Sequence, residues 1–375
     1  LALGAMLAAA AANFVALWLG LELVALASVA LAAFRGGDQR SAEAGMKLVL
    51  FGGAASAAML FGISHVYGAT GHLDFAGIGA AFAGGVPPAA GFALLLAAVG
   101  VLFKLTLVPF HFFAPDVYQG APALGVAAVS TLPKIGAVAA LMRALQLAAP
   151  AALVPPPTLA SGIALLAATS VLYASFAALV QRDAKRIVAF SGMGHGAAAV
   201  LALACLPGPD ATAAAGCYLL TYVAANVGAL VCLAVLERAH GTTGLDALAG
   251  AWRRHPWLVS LLCLFLLSLA GVPPLAGFLG KWGVLQVAFA RGTGDGGLPA
   301  LGVAALLFLV ASAVSVWSYL LIVRAVLFAE SAAAQRRPDG GAVSLPTHVV
   351  LAVSAAATIG FGLWLDGLAA LGHGL

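Results

Sequence analysis

Long apolar runs follow one another along nearly the whole chain, separated by short polar stretches. A helix of about 20 residues crosses a bilayer core. With that unit, eleven segments are predicted: a partial one at about 1–12, then about 13–34, 44–67, 91–118, 121–147, 159–180, 186–206, 212–239, 256–290, 300–328 and 346–371. Polar residues do not alternate with apolar ones inside the runs, which argues against a membrane β-barrel. Segments 91–118 and 256–290 are too long for one straight span. The first holds Pro109 and Pro115, the second Pro273 and Pro274. Proline lacks the N–H that a helix interior needs, so both segments are predicted to break. Backbone freed at membrane depth is tolerated only where protein or water meets it.

The broken segments are the fourth of segments one to five and the fourth of segments six to ten. Matching interruptions in two halves point to an inverted repeat. A five-span unit returns the chain on the opposite side, so the second copy must be upside down. The expected fold is an all-α polytopic membrane protein with two inverted five-helix repeats, each with a discontinuous fourth helix, plus a C-terminal helix. The expected units are residues 1–150, 151–330, and 331–375, the last comprising a cytoplasmic loop and the final helix. The chain opens inside an apolar run with no initiator Met. It is therefore read as a fragment whose first helices are missing.

Composition agrees: 63% of residues are apolar and 8% charged, against about a quarter charged in a soluble domain. Lys and Arg collect in alternate loops. One set holds Arg35, Arg40, Arg182, Lys185, Arg186, Arg238, Arg253, Arg254, Arg336 and Arg337; the other holds Arg291, with Arg143 near a helix edge. The basic set is assigned to the cytoplasm. The glycine-rich loop at 68–90 and the C-terminus then face the other side. Cys205, Cys217, Cys232 and Cys263 are scattered in apolar runs, which fits small hydrophobes better than metal or iron–sulfur ligands. There is no HExxH, Walker loop or strand-linked GxGxxG, so neither metal nor nucleotide is expected in this chain.

Candidate chemistry lies in the few charges inside spans. Charge in hydrocarbon is expensive, and an intramembrane ionisable group is a functional hypothesis by default. Glu22 lies in mid-segment; Lys104, Lys134 and Lys281 lie inside spans; Lys47 sits in the first turn of a predicted helix. At 4 Å and an effective dielectric of 20, an ion pair is worth about 4 kcal/mol. A carboxylate that approaches or leaves a buried lysine therefore changes that lysine's hold on its proton. Glu22 and Lys104 form the candidate pair, Lys134 and Lys281 the candidate onward relay, and Lys281 the exit. The bland alternative is static ion pairing or snorkelling, strongest for Lys47. Arg324 snorkels from near a cytoplasmic end, and Asp366 reads as an interfacial acid. His65, His111 and His195 border or lie in apolar segments and read first as packing histidines; His111, beside the first break, is also a possible relay member.

The stretches LWLGLELVALASVALAAF, SAEAGMKLVLFGGAASAAMLFGISHVYGATG, FKLTLVPFHFFAPDVYQGAP, LPKIGAVAALMRAL, LVQRDAKRIVAFSGMGHGA and LSLAGVPPLAGFLGKW together resemble the antiporter-like membrane subunits of respiratory complex I, the proton-pumping NADH:quinone oxidoreductase of bacteria. PDVYQGAP and LPK favour the subunit N branch over its two larger relatives, as does the lack of a long C-terminal amphipathic helix. The resemblance covers essentially the whole chain. It implies the doubly repeated fold and a pairing of Glu22 with Lys104. It also implies a central relay at Lys134, a broken-helix lysine at Lys281, and Lys47 near the Glu–Lys pair. It implies that the first three family helices precede the chain. The wording SGMGHGAAA at His195 departs from the usual SSIxHxGY. The implied activity is proton translocation driven by quinone reduction elsewhere, with no redox chemistry in this chain. NADH, FMN, iron–sulfur clusters and quinone would belong to partner subunits. Partners would be the other antiporter-like and small membrane-arm subunits and the lipid of the bacterial inner membrane. A cation/proton antiporter or membrane-bound hydrogenase subunit of the same superfamily shares these features. A structural spacer that transports nothing is the third reading.

Overall fold

The computed structural model describes residues 1–148, 157–206, 209–293, 297–329 and 344–363. Arg336, Arg337, Asp366 and most of the expected unit 331–375 lie outside these residues. Fourteen α-helices run in order: α1 (Ala2–Ala10), α2 (Phe14–Ala32), α3 (Gln39–Thr70), α4 (Phe75–Ala81), α5 (Pro88–Lys104), α6 (Ala114–Gly120), α7 (Ala123–Ala148), α8 (Pro157–Leu179), α9 (Ala184–Leu203), α10 (Pro209–His240), α11 (Pro256–Ala270), α12 (Ala276–Thr293), α13 (Pro299–Phe328) and α14 (Leu345–Leu363). Among the described residues, eight helices are long and apolar enough to cross a membrane. The shorter apolar helices α5 and α11 are the first halves of the two broken spans. The short α4 lies in the loop expected at 68–90, capped by Asp74, whose carboxylate accepts from Gly77 N at 2.6 Å.

Backbone geometry repeats between the halves. Asn13 caps α2 and Asp183 caps α9, each with extended backbone and a side chain accepting from the first turn. Phe14 N donates to Leu73 O and Phe75 N to Ala12 O; Ala184 N donates to Thr243 O and Leu245 N to Arg182 O. Each residue of the second set stands 170 positions after its counterpart in the first. Gly71 and Gly241, also 170 apart, end α3 and α10 at φ +70° and +76°. Each donates to a carbonyl four residues back at 2.7 Å. Glycine suits both because a Cβ is disfavoured in the left-handed region.

The breaks repeat too, at a spacing of 165. Thr106 and Gly271 adopt φ +57° and +88°. Leu107 N reaches back to Leu102 O and Val272 N to Leu267 O, both at 3.1 Å. Each break carries a cis X–Pro bond, Val108–Pro109 and Pro273–Pro274. The repeats therefore comprise α1, α2, α3, α5–α6 and α7, then α8, α9, α10, α11–α12 and α13. Element contacts correspond: α1 packs on α2 and α7, α8 on α9 and α13, and α2 on α3 as α9 on α10. Small residues permit this close approach; at Gly62 of α3, a Cβ would collide with the backbone of Ala93, Leu96 and Ala97 on α5.

The two repeats meet where α6 and α7 of the first pack on α9 and α10 of the second. α9 is the most enclosed of the spans, so side chains from both halves converge on it.

Candidate relay of buried charges

Lys104 ends α5 at the first break, its Nζ 5.4 Å from the centre of the Phe103 ring. Glu22 on α2 lies within electrostatic reach, yet no ion pair closes between them among the described residues. Both side chains are half-buried. The structure thus brings the expected pair together as neighbours, not as a locked bridge.

A cavity of about 30 Å³ adjoins Lys104 and is also lined by Lys134. That is about one water's share of liquid volume, and a buried water needs two to four polar partners. Ser28, Thr106 and Tyr118 supply polar groups beside the two lysines. Pro133 lies inside α7 and has no N–H to give to the carbonyl one turn back. Both Pro133 and Val129, which owns that carbonyl, line the cavity. Lys134 itself is 2% exposed. One turn before it, Ser130 accepts from Asn226 Nδ2 at 2.8 Å, and its carbonyl accepts from the Tyr222 hydroxyl at 3.3 Å. Those bonds tie the lysine's helix to α10 of the other repeat.

His195, on α9, follows next. Its Nδ1 is 2.7 Å from the Tyr218 hydroxyl and its Nε2 is 3.3 Å from the Tyr319 hydroxyl. Tyr319 is in turn 2.6 Å from Ser191 Oγ. The ring stands 4.8 Å from that of Tyr222, and both Lys134 and Lys281 lie within electrostatic reach of it. A second cavity of about 30 Å³ is lined by His195, Tyr218, Tyr319 and Lys281. Lys281 Nζ donates to Ala270 O at 2.8 Å. That carbonyl belongs to the last residue of α11, where helical carbonyls lack intrahelical donors. The lysine therefore satisfies backbone exposed by the break.

Lys104, Lys134, His195 and Lys281 thus form a series of neighbours that crosses from one repeat to the other. Sequence reading had placed His195 among packing histidines. Its two tyrosine contacts come from α10 and α13, and nothing in the local sequence announces them. His111 is buried but lines neither cavity; its ring nitrogens have no hydrogen-bond partner, and it packs on Phe112 and Tyr173.

Lys47 lines neither cavity. α3 begins at Gln39, earlier than the expected start near residue 44, so Lys47 lies beyond the first turn expected for it. It contacts Asp116 Oδ2 at 2.6 Å and Glu43 Oε1 at 2.7 Å. Arg186 Nη1 donates to the other oxygen of Asp116 at 2.7 Å. This network fastens α6 to α3 and α9. Beside it, Lys185 Nζ donates to Glu237 Oε1 at 3.1 Å and to Ala121 O at 2.9 Å, while Arg35 reaches the same Glu237 oxygen at 3.2 Å. Lys185 is 1% exposed, although its sequence position reads as a loop charge. Glu237 was likewise unrecognised as a buried acid. Among the described residues, no three His, Cys, Asp or Glu side chains gather where they could share a metal ion.

Residues 11–296 match the family described as NADH:quinone oxidoreductase/Mrp antiporter, transmembrane. NADH-quinone oxidoreductase subunit N of Granulibacter bethesdensis is 35% identical over 94% of this chain and 72% of its own length. That of Gluconacetobacter diazotrophicus is 38% identical over 90% and 69%. A chain of respiratory complex I from Thermus thermophilus with bound Aureothin superposes with TM-score 0.77 at 35% identity, covering 96% of this chain and 75% of that one. A chain of the Mrp complex from Dietzia sp. DQ12-45-1b superposes with TM-score 0.83 at 21% identity, covering 99% and 74%. At that identity the likeness speaks for the fold.

Proposed function

Because this chain belongs to the NADH:quinone oxidoreductase/Mrp antiporter transmembrane family and groups with subunit N, we propose that it is a proton-translocating subunit in the membrane arm of an NADH:quinone oxidoreductase. The observation that carries this reading is the unbroken series of ionisable neighbours from Glu22 and Lys104 through Lys134 and His195 to Lys281. Static ion pairs would close their partners, as those at Lys47 and Lys185 do. Along the series no carboxylate closes on a lysine.

In this reading Glu22 and Lys104 form the switch. As the carboxylate nears the ammonium, the charged form is stabilised; as it withdraws, the proton is released toward Lys134. Water held in the first cavity carries the proton between the lysines, and water in the second carries it between His195 and Lys281. The tyrosine hydroxyls hold the imidazole in place. The break in α5–α6 and the break in α11–α12 supply free backbone groups that hydrate both ends. Lys47 braces the half-helix α6, and His111 stands aside from the path. NADH, FMN, iron–sulfur clusters and quinone act in partner subunits of the complex, which sits in the bacterial inner membrane. This chain contributes conduction alone.

The test is the proton-to-electron ratio of the assembled complex in liposomes with Glu22→Ala or Lys104→Ala. Both variants are expected to keep the complex intact and lower the ratio. A normal ratio in both sinks the reading.

A further inference from the structure

Gly192 on α9 faces the ammonium of Lys134 across the boundary between the repeats. A Cβ placed on it would stand 3.1 Å from the Tyr222 hydroxyl, 3.6 Å from the Tyr118 hydroxyl and 3.7 Å from Lys134 Nζ. These polar atoms come from α10, α6 and α7, and all three side chains are buried. Two other helix-contact glycines meet different surroundings, while Gly280 meets the Thr221 hydroxyl. Gly62 meets the backbone of α5, and Gly228 meets the ring of Phe265. Those glycines serve close packing. Gly192 instead borders a polar focus.

Two further observations point the same way. The structure gives Lys134 Nζ no hydrogen-bond partner among the described residues, whereas Lys281 Nζ has Ala270 O. A buried ammonium is costly without partners. The repeat register also singles out this position. Glu22 stands nine residues past the cap Asn13, and Gly192 nine residues past the cap Asp183. One repeat thus presents a carboxylate toward a lysine, and the other presents no side chain at all toward the next lysine in the series.

We propose that Gly192 is a positioning residue for the relay: having no side chain, it keeps apolar atoms out of contact with the Lys134 ammonium and the Tyr118 and Tyr222 hydroxyls, so that the ammonium passes its proton toward His195. The inference rests on the proton-translocating reading above. In the step, Lys134 loses one proton and becomes a neutral amine. The His195 imidazole takes up the released proton on its unprotonated nitrogen and becomes imidazolium. His195 lies three residues beyond Gly192, on the same face of α9. Its ring stands against that of Tyr222.

The experiment compares Gly192→Ala, Gly192→Ser and Lys134→Ala in the complete complex reconstituted in liposomes, with proton flux and NADH oxidation recorded together. Alanine sets an apolar methyl against these polar groups and is expected to cut proton flux about tenfold, the scale of one lost relay hydrogen bond. Serine is larger yet returns a hydroxyl to the focus, and is expected to recover flux to within about twofold of the parent. A steric role alone predicts serine at or below alanine, so serine no better than alanine overturns the proposal. So does parental flux in the alanine variant. Should the alanine variant not assemble, serine decides alone: near-parental flux upholds the proposal and lost flux overturns it. Lys134→Ala separates the two levels. If it pumps normally, the proton-translocating reading falls and takes this inference with it. If it does not pump and serine still fails, only the role of Gly192 falls.

Discussion

In the first repeat the lysine stands two residues before the left-handed residue of the break, Lys104 before Thr106. In the second it stands ten residues after, Lys281 after Gly271. At matched register Leu269 occupies the position of Lys104, and Asp116 that of Lys281. One backbone device therefore carries two charge patterns. The first leaves its ammonium over a ring and beside a cavity. The second tethers its ammonium to a carbonyl of its own broken helix. The acid at Asp116 is held by Lys47 and Arg186 at the rim. The contrast separates an untethered end from an anchored one: Lys104 has no bond holding its ammonium in place among the described residues, whereas Lys281 is fixed to Ala270 O; in the proposed function the first responds to Glu22 and the second keeps its position.

The largest effect should come from removing the link between the two ends. Lys134→Ala is expected to lower proton flux by about two orders of magnitude, the lower range for a positioned acid–base group. The proton-to-electron ratio in liposomes checks it. Next comes the rim. Lys185→Ala removes one of the two cations on the buried Glu237 carboxylate, leaving Arg35, and deprives Ala121 O of a donor, a loss of about 1–3 kcal/mol. It should appear as a fall in the thermal stability of the purified complex, with flux per assembled complex little changed. The breaks themselves rank third. Gly271→Thr places a β-branched side chain at positive φ and crowds Lys281, whose Cδ lies 2.9 Å from the new Cβ, at a cost of about 1–3 kcal/mol. The reverse exchange, Thr106→Gly, relieves the strained residue but loosens the unfolded chain. It should change stability by less than about 1 kcal/mol. If Thr106→Gly proves the more damaging, the two breaks are not equivalent devices. The smallest effect belongs to Lys47→Ala, whose pairs are partly solvated. About 1 kcal/mol or less is expected, with an unchanged proton-to-electron ratio.

The spans were legible in the sequence because lipid demands long apolar runs, and both breaks were legible because proline cannot serve a helix interior. The duplicated architecture could be inferred from the two interruptions alone. Its register needed the backbone, where pairs 170 and 165 residues apart hold the same hydrogen bonds. Helix α4 escaped notice inside a glycine-rich stretch. Lys134 and Lys281 stood out as charges in hydrocarbon. His195 did not, because its significance depends on Tyr218 and Tyr319, which reach it from helices that local spacing cannot bring together. Lys185 misled for the same reason. At the start of α9 it looks solvated, and only the docking of Ala121 and Glu237 encloses it. His111 shows the converse, since closeness to a break in sequence did not bring it to either cavity.

The bonds from Lys185 to Ala121 and from Arg35 to Glu237 stitch residues of one half to residues of the other. The second half made alone keeps the Lys185–Glu237 pair but loses the Ala121 carbonyl and the Arg35 guanidinium that complete it. Split genes expressing residues 1–150 and 151–375 should yield a functional pair only when made together, each half acting as the other's folding template.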